Sequence, residues 1–104
     1  MKELSQEEWK SGVESDSGSQ IIDVRTQEEI DEGFIPNSIH ADIQQPQNFM
    51  TKIEELDKSN DYYLYCRSGA RSSQAGQIMN QLGFENTFNL KGGFKKWDGK
   101  IETS

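Results

Sequence analysis

Four short apolar segments, each set apart from the next by an amphipathic or polar stretch, constrain this chain more than any other feature. Ile21-Ile22-Asp23-Val24 reads as a buried strand and residues 39–43 as a second. Tyr62-Tyr63-Leu64-Tyr65 is the clearest strand, aromatic-rich and bounded by turn residues, and Thr87 to Leu90 reads as a fourth. Helical patterns lie between them. Ser5 followed by Gln6-Glu7-Glu8 has the N-cap and capping-box pattern, with Leu4, Trp9 and Val13 near one face of the helix that follows. Thr26 can cap a second helix running through Glu32 and stopped by Gly33. Residues 48–56 put Phe49, Ile53 and Leu56 at helical spacing. Residues 72–82 turn Ala75, Ile78, Met79 and Leu82 inward, with Gly83 closing the helix, and Gly92-Gly93 leads into a short helix carrying Phe94 and Trp97. Strands alternating with helices predict an α/β domain with a mainly parallel sheet. In such sheets ligands sit beyond the carboxyl ends of the strands.

The remaining composition narrows the function classes. A chain of 104 residues is one domain's worth of sequence, so residues 1–104 are expected to form a single unit. Val, Ile, Leu and Phe number 21, which makes a lean core that the Tyr, Trp and Met residues must extend. No apolar run approaches the ~20 residues that span a bilayer. The N-terminus has no apolar stretch of signal-peptide type, so a cytoplasmic protein without a membrane role is expected. One Cys and one His can form neither an internal disulfide nor a zinc site, and neither metal nor cofactor is called for. Residues 1–61 hold 15 acids and 5 bases, whereas residues 62–104 hold 3 acids and 6 bases. The net charge of −7 argues against a nucleic-acid partner, while the locally basic second part suits a small anion. Monomer is the default state for so small a unit.

The chemistry concentrates in Tyr65-Cys66-Arg67-Ser68-Gly69-Ala70-Arg71-Ser72. A strand ends in the only Cys, and an Arg follows five residues later at the start of a helix. Backbone N–H groups of such a loop can point inward and cradle an anion. Gly69 permits the tight path. The helix N-terminus and the Arg charges both favour thiolate over thiol, and the thiolate is the nucleophile. The bland alternative is a buried structural Cys packing as a small hydrophobe.

Cys66 to Ser72, C-R-S-G-A-R-S, resembles the active-site loop of rhodanese-like sulfurtransferases. Other segments match that family in order. Asp23-Val24-Arg25 with Glu28-Glu29 resembles its D-V-R-x-x-x-E stretch, and Gly33 to Ile39 its G-H-I-P-G-A-x turn. Leu82-Gly83-Phe84 and Leu90-Lys91-Gly92-Gly93-Phe94-Lys95-Lys96-Trp97 resemble its L-G-F and L-x-G-G-x-x-x-W segments. The resemblance implies a roughly five-stranded, mainly parallel sheet with helices on both faces. It also implies that Cys66 accepts a sulfane sulfur from a donor such as thiosulfate and passes it, as a persulfide, to cyanide or a thiol. Arg71 would close the loop and supply positive charge. Arg67 would point outward toward anionic donors, a persulfide-carrying protein among them, while Ser68, Gly69, Ala70 and Ser72 would line the sulfur.

Two other functions stay open on the sequence. A noncatalytic rhodanese module used for binding often lacks the Cys present here. Cys-dependent phosphatases space their Cys and Arg as C-x5-R, against C-x4-R for Cys66 and Arg71, and the shorter ring leaves less room for a tetrahedral phosphate. Phe34 and Asn37 depart from the family turn, and Asn tolerates the positive φ that Gly usually takes there. His40 is expected to be noncatalytic, Asp23 and Arg25 a structural ion pair, and the acids between Glu28 and Glu32 a solvated helix face. Trp97 is expected in the core, and Phe34 and Phe94 at the mouth of the site.

Overall fold

A computed structural model describes residues 1–103. Its five strands are Lys2–Leu4 (β1), Gln20–Asp23 (β2), Ser38–His40 (β3), Tyr62–Tyr65 (β4) and Thr87–Leu90 (β5). They form one sheet in the order β1-β5-β4-β2-β3, and every pairing is parallel. The helices are Gln6–Ser15 (α1), Gln27–Glu32 (α2), Pro46–Glu54 (α3) and Ala70–Gln81 (α4), followed by a 3-10 turn at Phe94–Lys96. From β2 the chain steps outward to β3 and then returns to the opposite side of β2 as β4. That reversal falls at the carboxyl ends of β2 and β4, the usual place for a ligand in an open parallel sheet. Cys66 stands at that end of β4.

Period-two alternation divides the core between the two faces of the sheet. Ile22, Tyr62, Leu64 and Cys66 face Phe49 and Ile53 of α3 and Ala75 and Met79 of α4. Ile21, Tyr63, Tyr65 and Leu90 face Trp9 of α1, with Phe94 and Trp97 packed at the margin. Trp9 anchors this second layer through edge-on contacts with Tyr63, Tyr65 and Trp97 at 5.9, 6.2 and 5.5 Å. Trp97 therefore belongs to the packing, with Lys10 over its outer ring face.

The expected helix starts at Ser5 and Thr26 are present, each with both bonds of a capping box. Gly33 ends α2, and Asn37 takes φ +68° in the turn before β3. β3 is Ser38–His40 instead of residues 39–43, and three further elements differ from expectation. β1 is a strand, so Leu4 pairs with Leu90 while still packing, as expected, in one cluster with Trp9 and Val13. Its three residues have no buried side chain, so no alternation announces it. α3 begins at Pro46, whose fixed φ suits a first helical position. α4 begins two residues before the expected Ser72, because its N-cap Gly69 offers no side-chain cap that a sequence could advertise. Among the described residues no helix is long and apolar enough to cross a membrane.

Candidate active site

The first turn of α4 leaves N–H groups that need an acceptor. Gly69, at φ +108°, supplies none from a side chain, and the Cys66 sulfur takes that place. The Gly69 N–H donates to Cys66 Sγ at 3.0 Å, and Ser72 Oγ lies 3.4 Å from the same sulfur. Cys66 is fully buried, which by itself pushes its thiol up. The Ser72 hydroxyl and the amides of Ser72, Gly69 and Ser68 together outweigh that burial, so the thiol ionises below its ordinary value. Cys66 thus belongs to the apolar layer on one face of the sheet, yet its sulfur meets donors from the loop and from the first turn of α4.

The Gly92-Gly93 segment holds this loop from behind. Phe94 N–H donates to the Cys66 carbonyl at 2.8 Å, and Lys95 N–H donates to the Arg67 carbonyl at 3.0 Å. Tying these carbonyls to the outside leaves the loop amides free to face the sulfur. Gly93 makes the approach possible. A Cβ there would sit 2.5 Å from the Arg67 carbonyl oxygen and 2.6 Å from that of Cys66, at φ +61°. Gly93→Ala is expected to cost about 1–3 kcal/mol of stability from backbone strain alone. It should also raise the Cys66 pKa as the amides turn away, which a pH titration of thiolate absorbance reads directly. An unshifted titration would show that the buttress does not hold the amides.

Arg71 does not hydrogen-bond the sulfur. Its two terminal nitrogens grip Glu29 of α2, Nη1 to Oε1 at 2.7 Å and Nη2 to Oε2 at 2.9 Å. The Cys66 charge still favours the Arg71 cation across space, after the larger effect of the Glu29 pairing. Glu29 is also the closing residue of the α2 capping box, bonded to Thr26. The Arg71 pairing first, and the Thr26 amide with it, draw the Glu29 carboxyl from its ordinary 4.5 to about 2. A carboxyl depressed in the fold stabilises it above its unfolded pKa, and that contribution disappears as pH falls through the folded value. Glu29→Gln should therefore be less stable than the parent at neutral pH, with the gap closing between pH 4.5 and about 2. Urea unfolding across that range checks it, and a gap independent of pH would argue against the pairing. Arg67, Ser68 and Ala70 are exposed and form the outer rim of the loop.

Asp23 and Arg25, at the end of β2, form a buried pair with Nη2 to Oδ2 at 2.8 Å. Burial works against the Arg25 charge, and its Asp23 partner more than restores it. Tyr65 donates its hydroxyl to the same carboxylate, and Arg25 donates to the Gly33 carbonyl at 2.8 Å. The guanidinium lies 4.2 Å from the centre of the Phe94 ring. Neither Asp23 nor Arg25 hydrogen-bonds Cys66; they weld the turn after α2 to the strand that carries it. His40 meets the Arg25 carbonyl through Nε2 at 2.6 Å. The half-buried Phe34 exchanges backbone bonds with Glu102, and Phe94 stacks on Tyr65 at 6.0 Å. Sequence reasoning passed over Glu29, Asn89 and the backbone of Phe94 and Lys95. Glu29 did carry a signal, as the acid that closes the D-V-R-x-x-x-E stretch and stands three residues after the cap Thr26.

The sequence profile of the Rhodanese-like domain matches residues 5–100. The chain belongs to the rhodanese-like family. YtwF of Bacillus subtilis (strain 168), whose name includes sulfurtransferase, is 38% identical over 102 residues, covering 98% of this chain and 95% of its own. Thiosulfate sulfurtransferase GlpE of Coxiella burnetii is 32% identical over 84 residues, covering 81% of this rhodanese-like chain and 76% of GlpE. A rhodanese-like domain protein from Staphylococcus aureus, solved by crystallography, superposes with a TM-score of 0.85 at 28% identity, covering 100% of this chain and 99% of that one. The fold class expected from the sequence is therefore the one observed.

Proposed function

We propose that this chain is a sulfurtransferase in which Cys66 carries the sulfur as a persulfide. The observation that carries the reading is the ring of donors around a buried sulfur, Gly69 N–H at 3.0 Å foremost. In the first half-reaction the Cys66 thiolate attacks the outer sulfur of thiosulfate. An S–S bond forms to Sγ, the bond to the sulfite group breaks, and sulfite departs with the electron pair. In the second, cyanide or a thiolate attacks the terminal sulfur, and the Cys66 thiolate leaves. Charge balances in both steps, so the loop needs only to stabilise one negative charge as it moves from Sγ to the added sulfur and back. Amide N–H groups and the nearby Arg71 cation suit that task.

The sulfur is fully buried, so the donor must present a single projecting sulfur atom and the loop must yield to it. Arg67 offers the exposed charge that attracts an anionic donor, whether a small anion or the persulfide of a carrier protein. A phosphate ester would need a wider ring. One free thiolate of this kind suits a reducing compartment, and a cytoplasmic monomer fits that use. Mass spectrometry after thiosulfate treatment tests the reading: the intact chain should gain about 32 mass units for one sulfur atom, removable by cyanide. No gain with thiosulfate, polysulfide or glutathione persulfide, together with turnover of an aryl phosphate, would replace it with the phosphatase reading. No gain and no turnover would leave a binding module.

A further inference from the structure

The Ser72 hydroxyl has one proton and three acceptors within reach. Asn89 Oδ1 lies at 2.5 Å, the Gly69 carbonyl at 3.2 Å and Cys66 Sγ at 3.4 Å. The shortest contact has the Ser72 hydroxyl donating to Asn89 Oδ1. The Asn89 amide is held in that orientation from its other end. Its Nδ2 donates to Glu3 Oε1 and Oε2 at 2.9 and 3.1 Å, and to the Gly69 carbonyl at 3.1 Å. A flipped amide would turn its oxygen toward a carboxylate and a carbonyl, three oxygens with no proton among them. Glu3 and Asn89 are register partners on the adjacent strands β1 and β5. Asn89 is buried, whereas Glu3 is exposed on the edge strand.

We infer that Glu3 is a positioning residue for Cys66: acting through Asn89, it parks the Ser72 proton away from the sulfur. The inference rests on the persulfide reading for its use and on geometry alone for its existence. When Sγ is uncharged, as a thiol or as the inner sulfur of a persulfide, the hydroxyl keeps donating to Asn89 Oδ1. When Cys66 becomes a thiolate, the hydroxyl rotates toward Sγ, and Asn89 Oδ1 loses its donor. That loss opposes the ionised sulfur. It keeps Cys66 less acidic, and so more nucleophilic once ionised, than the amide ring alone would make it. Without the Glu3 carboxylate the amide can flip. Its N–H then donates to Ser72 Oγ, and the Ser72 proton is free for the sulfur.

The other charged groups around Cys66 are Arg67 and Arg71 on its own loop and helix, Glu29 on α2 paired with Arg71, and Asp42 beyond β3, which acts on Arg71. All are common to the variants that test the relay. Thiolate absorbance of Cys66 is titrated in the parent, Glu3→Gln, Ser72→Ala and the double variant. Glu3→Gln should lower the Cys66 pKa by about half a unit, the effect of redirecting one hydrogen bond. In the Ser72→Ala background the same replacement should move it by less than about a third of that, because the relay is already cut. An unmoved pKa in Glu3→Gln overturns the inference. An equal shift in both backgrounds also overturns it, since the carboxylate would then act only through space. The titration needs no sulfur donor, so it separates from persulfide uptake. A shift confined to the Ser72 background with no uptake sinks the sulfurtransferase reading and keeps the relay, and uptake with no shift does the reverse.

Discussion

Cys66→Ser is expected to remove sulfur transfer almost entirely, by at least ~10³-fold in the rate of thiocyanate formation from thiosulfate and cyanide. The loop that lowers the Cys66 pKa provides a few hydrogen bonds, each worth about 0.5–1.5 kcal/mol net. That is enough to bring a thiol with a pKa near ~8.5 into range. It is far too little to ionise an aliphatic alcohol. Serine would accept the Gly69 N–H and cap α4 much as the sulfur does, so the fold should be kept. Thermal unfolding measured beside the activity makes the comparison fair. An active, folded Ser variant would move the chemistry to another residue and undo the proposed mechanism.

Arg25→Met is expected to have the largest effect on stability. It leaves the Asp23 carboxylate buried with the Tyr65 hydroxyl and the Arg25 backbone N–H as its remaining donors. Breaking a buried ion pair by removing one partner costs about 3–5 kcal/mol. Whole domains are stable by only about 5–15 kcal/mol. The variant also gives up the bond to the Gly33 carbonyl and the stacking on Phe94. Urea unfolding should show a midpoint shifted strongly downward at an unchanged slope. Replacing Asp23 by Leu in the same chain should recover part of the loss, because the penalty belongs to the uncompensated charge. A single variant as stable as the parent would mean that water reaches Asp23.

These two sites were legible in the sequence to different degrees. A lone Cys at the end of an aromatic strand, followed by Arg67, Ser68, Gly69 and Arg71, carries its meaning in consecutive residues. Loop and helix start are local structure, governed by φ preferences and by unsatisfied amides close in sequence. The capping box at Ser5 and the cap at Thr26 were legible for the same reason. Asp23 and Arg25 could be paired by analogy with the family, but the role of Tyr65 as third partner could not be read. It depends on β2 and β4 lying side by side, with Asp23 opposite Tyr65.

Glu29 shows the limit most plainly. Read along the chain, it closes the D-V-R-x-x-x-E stretch, yet it was expected on a solvated helix face. In the fold it is the partner of Arg71, 42 positions away. Arg71 was expected to close the ring around the sulfur and instead spends its hydrogen bonds on α2, leaving only its field to the site. The buttressing amides of Phe94 and Lys95 were equally silent, because a backbone N–H is common to nearly every residue. Gly92-Gly93 was read as the lead into a short helix, not as the close approach to Cys66 and Arg67 that Gly93 makes.

Sequence alone determined the α/β alternation, the place of the candidate nucleophile and the caps of α1 and α2, because each is written in neighbouring residues through periodicity, turn chemistry and spacing, and the motifs in their order carried the resemblance to the family. Tertiary structure decided that Lys2–Leu4 joins the sheet as β1, that Glu29 takes Arg71, and that Glu3, Asn89 and Ser72 line up behind Cys66. Those contacts follow from strand order and register. Register is set by how two apolar layers close over a sheet, a property of the whole chain that no short segment contains.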